Sequence, residues 1–98
     1  GLHAKNLACL PIAGDSMTPG LMPGDMVLVN HATTHADGVF VLRLGNALRI
    51  KRLQWLADGS LRISSDNPLY QPEHISPADL GEDFAIVGAC HTKIGRVF

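Results

Sequence analysis

A serine and a lysine are the two residues of this sequence whose types and settings could support catalysis together. Ser16 follows a short apolar run and lies between Gly14 and Pro19, in a turn that could expose its hydroxyl. Lys51 lies in Leu48-Arg49-Ile50-Lys51-Arg52-Leu53, where bulky apolar residues are interspersed with charged ones. Serine is a poor nucleophile until a base removes its proton, and burial beside apolar groups favours the neutral amine that can act as this base. The two residues therefore predict a Ser–Lys peptidase dyad, although alone each is typical of a turn serine or a solvated surface charge.

The position of Lys51 in a strand decides which side chains surround its amine. Two-residue alternation places Lys51 on the same strand face as Leu53 and Trp55. We expect Met17, Leu53 and Val41 to supply the apolar shell that the neutral amine needs. Backbone N–H groups of the serine loop would then stabilise the developing oxyanion.

Short apolar runs separated by turn residues predict a mainly β fold with little helix. We expect a compact barrel-like or folded sheet of five to seven short strands. Gly45-Asn46 predicts a hairpin, Asp58-Gly59 predicts a tight turn, and the Pro-rich stretch 66–77 is expected to be an ordered loop. The predicted strands are 7–12, 26–29, 39–44, 47–55, 61–64, 84–91 and 94–98.

Composition narrows the class of protein. At 98 residues the chain predicts one domain over 1–98, and 46% hydrophobic residues with 17% charged residues favour an ordered core. Eight Lys and Arg against nine Asp and Glu argue against nucleic-acid binding by this domain alone. The absence of a long apolar run and of a signal peptide predicts no membrane association and a cytoplasmic location. Cys9 and Cys90 are expected to be buried, reduced thiols.

Several short sequence blocks occur in order along the chain, and together they are more informative than any one block alone. They are Gly14-Asp15-Ser16-Met17-x-Pro19, Pro23-Gly24-Asp25 with 26–29, 37–43, Ile50-Lys51-Arg52-Leu53, 61–64 with Ser65-Asp66-Asn67-Pro68-x-Tyr70, and Ile94-Gly95-Arg96-Val97. This series resembles the LexA/UmuD-like family of serine peptidases, and more narrowly the C-terminal domain of phage repressors of that family. The resemblance covers nearly the whole chain and includes the 35-residue spacing from Ser16 to Lys51.

The resemblance implies a mainly β domain with Ser16 as the nucleophile and Lys51 as the general base. It also implies a homodimer and self-cleavage of an upstream linker, promoted by activated RecA filaments in the SOS response to DNA damage. Such cleavage separates this domain from a helix-turn-helix domain that binds operator DNA. No cofactor and no metal is implied.

The self-substrate of such a peptidase is not recognisable within the chain. Family members cut an Ala-Gly or similar bond well upstream of the serine, whereas Ala13-Gly14 lies only two residues before Ser16. We therefore expect the 98 residues to be part of a longer protein whose DNA-binding domain lies outside them.

Other interpretations of the same residues stay open. The chain could be a repressor-like dimerisation or sensing module without significant proteolysis, or a Ser–Lys enzyme resembling signal peptidases. A Ser-His-Asp triad could use Asp15 or Asp66, and a metal site could use some of the histidines. The histidines lack both a recognisable nucleophile context and metal-ligand spacing, so we expect neither of these last two. They are His3, His31, His35, His74 and His91.

Overall fold

Apolar runs of strand length, interrupted by glycine, proline and acidic turn residues, form the secondary structure of this chain. The computed structural model describes residues 6–32, 35–79, 81 and 84–96. Within these residues, seven strands form one antiparallel sheet, and a short 3-10 helix spans Pro77–Asp79. The strands are β1 (Leu7–Pro11), β2 (Asp25–Asn30), β3 (Gly38–Leu44), β4 (Ala47–Trp55), β5 (Leu61–Ser64), β6 (Glu73–Ile75) and β7 (Phe84–Arg96). The prediction of a mainly β domain is confirmed.

The sheet has the strand order β1-β2-β7-β3-β4-β5-β6, so the strand that comes last in the sequence lies between β2 and β3. The predicted hairpin joins β3 and β4, where Leu44 pairs with Ala47 across Gly45-Asn46. Gly45 has a φ of +60°, a left-handed conformation that glycine adopts without steric cost. The predicted tight turn at Asp58-Gly59 lies between β4 and β5.

Two apolar clusters form the core on opposite faces of the sheet. The side chains of β3 alternate between them: Phe40 and Leu42 belong to one cluster and Val41 to the other, and all three are at most 1% exposed. Because β3 is buried on both faces, the sheet must curl and fold over itself to cover them. The first cluster contains Phe40, Leu42, Leu53, Leu61 and Ile63, and the second contains Ile12, Val27, Val29 and Val41.

The structure corrects two details of the predicted strands. The predicted strands 84–91 and 94–98 are joined, because the single strand β7 runs through His91–Lys93. Register shifts in its pairing with β2 accommodate the irregularity there. The predicted loop 66–77 contains β6, which pairs with β5 at the edge of the sheet. β6 has only three residues, and two of them are polar, so the segment lacks the alternating apolar pattern from which a strand is predicted.

The cysteines differ from the expectation of two buried thiols. Cys9 is exposed on the edge strand β1, whereas Cys90 is half-buried on β7. Both are free thiols. The part of the chain that the structure describes contains no helix with the length and apolarity required to cross a membrane.

Candidate active site

Ser16 lies in the loop that connects β1 to β2, and this loop is fixed at its base and in its middle. The Ile12 amide donates to the Asp25 carbonyl at 2.7 Å, and the Gly24 amide donates to the Ile12 carbonyl at 3.1 Å. Met17, next to Ser16, is only 3% exposed, so its side chain anchors the loop in the protein interior. Ser16 itself is half-buried. The serine therefore sits on a well-anchored loop between β1 and β2.

The loop is also held by a buried carboxylate. Asp25 is 5% exposed, accepts a hydrogen bond from the Met22 amide at 2.9 Å, and forms an ion pair with Lys93 at 3.3 Å. The sequence indicated only a turn residue at Asp25. The structure shows that this carboxylate also links the loop of Ser16 to the central strand β7.

Lys51 extends from the middle of β4 and is half-buried. Its Nζ donates a hydrogen bond to Ser65 Oγ at 2.8 Å and lies 5.2 Å from the centre of the Tyr70 ring. Burial lowers the pKa of Lys51, and the positive charge of Arg49 acts in the same direction, whereas the negative charge of Glu73 opposes them. The environment therefore increases the fraction of neutral amine, as a general base requires.

The structure brings Ser16 and Lys51 to the same open pocket, which has a volume of about 310 Å³. Among the described residues, no hydrogen bond joins the two side chains, and Lys51 Nζ is bonded to Ser65 Oγ. The pair thus lines one cavity without a hydrogen bond between its members. The residues that line this pocket are Ala13, Gly14, Asp15, Ser16, Arg49, Lys51 and Tyr70.

The neighbours of Lys51 differ in part from the predicted apolar shell. In the β3–β4 register, Phe40 lies opposite Lys51, whereas Val41 lies opposite Ile50. Adjacent residues of a strand point to opposite faces, so Val41 belongs to the other face of the sheet. The other two predicted shell residues, Met17 and Leu53, are both buried.

An apolar pocket of about 220 Å³ adjoins Ser16 on the side away from Lys51. Ser16 and Arg49 line both this pocket and the one that contains Lys51, so the two cavities share a border at these residues. Such a cavity can bury an aliphatic side chain beside the serine hydroxyl. Its lining consists of Leu10, Pro11, Ala13, Ser16, Val41, Leu48, Arg49 and Ile50.

Three residues that contact the site belong to a motif block but were assigned no role at the site from the sequence. They are Asn67, Tyr70 and Ser65, the last of which accepts a hydrogen bond from Lys51. The backbone amide and the side-chain amide of Asn67 both donate to carbonyl groups of the serine loop, and the Tyr70 hydroxyl donates to Asp15 Oδ1. The sequence placed these residues in the Ser65-Asp66-Asn67-Pro68-x-Tyr70 block, largely within an expected ordered loop, and the Leu69 amide bonds Asn67 Oδ1 within that loop at 3.0 Å. The contact of Ser65 with Lys51 spans 14 residues, and the contacts of Asn67 and Tyr70 with Asp15 span 52 and 55, so no local pattern indicated these partners.

The residues weighed for a triad or a metal site have other contacts. Asp15 accepts from Tyr70, and Asp66 is paired with Arg52. His35 stacks on the Trp55 ring with centroids 4.2 Å apart.

The remaining histidines are spread over the sheet. His31 Nδ1 lies 3.3 Å from the Val87 carbonyl oxygen, and His74 Nε2 lies 2.9 Å from the buried Ser60 hydroxyl. His91 is exposed, and His3 lies outside the described residues. The described residues contain no group of three or more His, Cys, Asp or Glu side chains suited to a metal ion.

The sequence has curated relatives among transcriptional regulators. Over 83 residues it is 35% identical to the HTH-type transcriptional regulator PrtR of Pseudomonas aeruginosa, a match that covers 82% of this chain and 32% of that protein. Over 81 residues it is 30% identical to the 26 kDa repressor protein of Escherichia phage HK022, covering 81% of this chain and 34% of that protein. The chain thus spans about one third of the length of these relatives.

A family model for Peptidase S24-like proteins matches residues 2–91. This match includes the loop that carries Ser16, the strand β4 that carries Lys51, and residues 65–67, which contact both. It confirms the resemblance to LexA-like regulators and phage repressors that the motif blocks indicated. The chain belongs to the Peptidase S24-like family.

Proposed function

We propose that this chain is the self-cleaving domain of a LexA-like transcriptional repressor, with Ser16 as the nucleophile and Lys51 as the general base. The observation that carries the proposal is the shared pocket lined by Ser16 and Lys51. The lowered pKa of Lys51 supports it, because a neutral amine can accept the serine proton. Membership of the Peptidase S24-like family supports the reaction class.

The reaction begins when the Lys51 amine takes the hydroxyl proton of Ser16 and the oxygen attacks the carbonyl carbon of the scissile peptide bond. The tetrahedral intermediate collapses as the Lys51 ammonium returns its proton to the departing amine, which leaves an ester on Ser16. Water then attacks this ester, with Lys51 again accepting a proton, and the carboxylate product is released. For the first transfer to occur, the lone pair of the neutral Lys51 amine must point toward Ser16, while one of its N–H groups can stay bonded to Ser65.

Backbone amides near Ser16 can stabilise the oxyanion. In the part of the chain that the structure describes, the amides of Ser16 and Met17 donate no hydrogen bond to the protein, whereas the Thr18 amide is bonded to the Asp15 carbonyl at 3.1 Å. Donors aimed at the developing negative charge lower the barrier more than donors already bonded elsewhere. We assign the oxyanion role to the amides of Ser16 and Met17.

The substrate we propose is a linker upstream of this domain, in the same protein. Ala13-Gly14 is unsuitable because both residues line the pocket beside Ser16 as part of the loop itself. The adjacent apolar pocket would receive an aliphatic side chain of the linker. In this proposal an activated RecA filament promotes the cut in the cytoplasm, and the cut separates this domain from a DNA-binding domain that holds the operator.

We further propose that the domain forms a homodimer through the end of β7. The β3 pairing of β7 ends at Ala89, whereas the β2 pairing continues to Arg96. Among the described strands, none pairs with the other edge of residues 90–96, and an unpaired edge can take a second strand across a two-fold axis. Sedimentation of the chain at tens of micromolar should give the mass of a dimer, and a monomer at that concentration would contradict this assignment.

The test of the peptidase role uses the full-length protein, incubated between pH 7 and pH 10. Wild type should cut itself faster as the pH rises, because more Lys51 becomes neutral. Ser16→Ala and Lys51→Ala should remain intact over the same period, while Ser64→Ala, a neighbouring hydroxyl outside the pocket, should behave like wild type. Cleavage of the two site variants at the wild-type rate would refute the dyad.

A second candidate is a repressor-like dimerisation or sensing module without significant proteolysis. The hydrogen bond from Lys51 to Ser65, in place of one to Ser16, favours this alternative. The same incubation separates the two functions, because such a module would stay intact in wild type even with activated RecA present.

A further inference from the structure

One short segment contacts both halves of the proposed dyad. Residues Ser65, Asp66 and Asn67 follow β5 and lie between β4, which carries Lys51, and the loop that carries Ser16. Ser65 and Asn67 are only two positions apart, yet one is bonded to the lysine and the other to the serine loop. This segment therefore links the lysine to the loop that carries the serine.

The Ser65 hydroxyl constrains an amine that would otherwise be mobile. A lysine side chain has four rotatable carbon–carbon bonds, so its Nζ can occupy many positions unless it is held. Here Nζ donates to Ser65 Oγ at 2.8 Å, and the Tyr70 ring lies 5.2 Å away on another side. Fixing one N–H bond restricts where the lone pair of the neutral amine can point, and such orientation strongly affects proton-transfer rates.

Asn67 constrains the serine loop through both its backbone and its side chain. The backbone amide of Asn67 donates to the Ser16 carbonyl at 2.9 Å, and the side-chain Nδ2 donates to the Asp15 carbonyl at 3.0 Å. Its Oδ1 accepts from the Leu69 amide at 3.0 Å, and the residue is 8% exposed. Because the amide group is buried and bonded at both ends, it cannot rotate without losing hydrogen bonds, and the loop is held at the residue that bears the hydroxyl.

We propose that Ser65–Asn67 is the positioning element of the Ser16–Lys51 pair, in which Ser65 orients the amine and Asn67 fixes the hydroxyl-bearing loop. The inference rests on the proposed function, since it assigns positioning roles for that same reaction. It adds two residues that act through Lys51 and Ser16: neither lines the pocket that the pair shares, and each controls the geometry of one member of the pair.

The test of Ser65 uses self-cleavage of the full-length protein and a pair of substitutions with the same shape. Ser65→Thr keeps the hydroxyl, and Ser65→Val replaces it with a methyl group. The threonine variant should cleave within a few-fold of wild type, whereas the valine variant should be about 10- to 100-fold slower at the alkaline plateau. Ser64→Ala is the matched control for a substitution at the end of β5.

The pH profile distinguishes a positioning role from a general loss of stability. A hydroxyl that accepts from the lysine favours the ammonium form, so Ser65→Val should move the midpoint of the rate profile to lower pH while its plateau falls. The other charged groups acting on this amine, Arg49 and Glu73, are unchanged in all the Ser65 variants. A destabilised but correctly arranged site would lose rate without moving the midpoint.

Asn67 has its own test. Asn67→Asp keeps an oxygen for the Leu69 amide but replaces the donor to the Asp15 carbonyl with a second oxygen. Cleavage should slow by about 10-fold or more without a fall in the midpoint, because the hydroxyl moves while the lysine keeps its contact with Ser65 and an added carboxylate favours the ammonium form. Asn46→Asp, in the exposed β3–β4 turn, controls for the added charge.

The outcomes separate the two proposals. If Ser16→Ala and Lys51→Ala abolish cleavage while Ser65→Val and Asn67→Asp, both folded by thermal unfolding, keep the wild-type rate and midpoint, the positioning inference is overturned and the peptidase function stands. If Ser16→Ala cleaves like wild type, the peptidase function fails and the inference fails with it. Loss of rate in Ser65→Val with retention in Ser65→Thr supports both.

Discussion

Arg52 holds Asp66 through two parallel hydrogen bonds, from Nε to Oδ1 at 2.8 Å and from a terminal nitrogen to Oδ2 at 2.9 Å. Each partner is the sequence neighbour of a residue in the Lys51–Ser65 contact. Two adjacent residues of β4 thus bind two adjacent residues of the segment after β5. The exposed ion pair between Arg52 and Asp66 fixes how these two chain segments align. The half-buried contact between Lys51 and Ser65 depends on the same alignment.

Asp66→Asn should lower stability at neutral pH and leave it unchanged in acid. The Arg52 guanidinium lowers the pKa of Asp66, so the pair stabilises the fold above the unfolded-state pKa and loses this effect as the pH falls through the folded-state pKa. Because the pair is largely exposed, the loss at pH 7 should be at most about 1 kcal/mol. Urea unfolding at pH 7 and at about pH 2 measures the difference, and an equal loss at both would contradict this account.

Glu73→Gln should move the pH profile of self-cleavage to lower pH. The carboxylate of Glu73 raises the pKa of Lys51 against the larger effect of burial, so removing its charge leaves a lower pKa and more neutral amine at a given pH. Rates measured between pH 7 and pH 10 would show the shift. At about 1 M salt the two profiles should converge, since Glu73 is exposed and its charge is screened.

Gly88→Ala should destabilise the junction of β2 and β7. A Cβ at this position would lie 2.5 Å from the Asn30 carbonyl oxygen and 2.9 Å from its carbon, so the backbone would have to shift. Overpacking of this kind costs about 1–3 kcal/mol in unfolding free energy. Gly81→Ala, where a Cβ meets nothing within 4 Å, is the matched control, and equal urea midpoints for the two variants would refute the clash.

Tyr70 should ionise at higher pH than a free tyrosine. Its hydroxyl donates to the Asp15 carboxylate, which raises the pKa of Tyr70, so this contact stabilises the fold below the unfolded-state pKa and is lost as the pH rises through the folded-state value. Tyr70 is the only tyrosine of the chain, so absorbance of the phenolate reports it directly. Asp15→Asn should lower the midpoint, and a midpoint that stays unchanged would show that Asp15 does not cause the shift.

The two thiols should react at very different rates with a disulfide reagent at about pH 8. Cys9 is exposed, whereas burial raises the pKa of Cys90 to about 11 and keeps its thiol protonated. One fast equivalent and one slow equivalent are expected. Cys9→Ser should remove the fast phase and Cys90→Ser the slow one, and two fast equivalents in wild type would be the opposite result.

The local parts of the fold could be predicted from the sequence. The bounds of β4 and β5 match the predicted runs 47–55 and 61–64, because Gly45-Asn46 and Asp58-Gly59, which favour turns, mark both ends of β4 and the beginning of β5. The single strand β7 was predicted as two, since His91 and Lys93 interrupt the apolar pattern and the register shifts that accommodate them depend on β2.

The candidate site was predictable only in its two chemically distinctive residues. Ser16 and Lys51 have types and settings that carry a signal, and the structure places both at one pocket. Ser65 and Asn67 look like ordinary loop residues, because their roles come from contacts with positions 14 and 52 residues away. Such contacts arise from tertiary packing, which a single sequence does not encode in any local pattern.

The position of β7 between β2 and β3 has a consequence for the order of events during synthesis. Ser16 belongs to the part of the sheet formed by β1 and β2, and Lys51 belongs to the part formed by β3 to β6. A ribosome delivers both parts before it delivers the strand that joins them. The two parts can therefore be joined in one sheet only after residues 84–96 have emerged, which places the completion of the sheet after the synthesis of both Ser16 and Lys51.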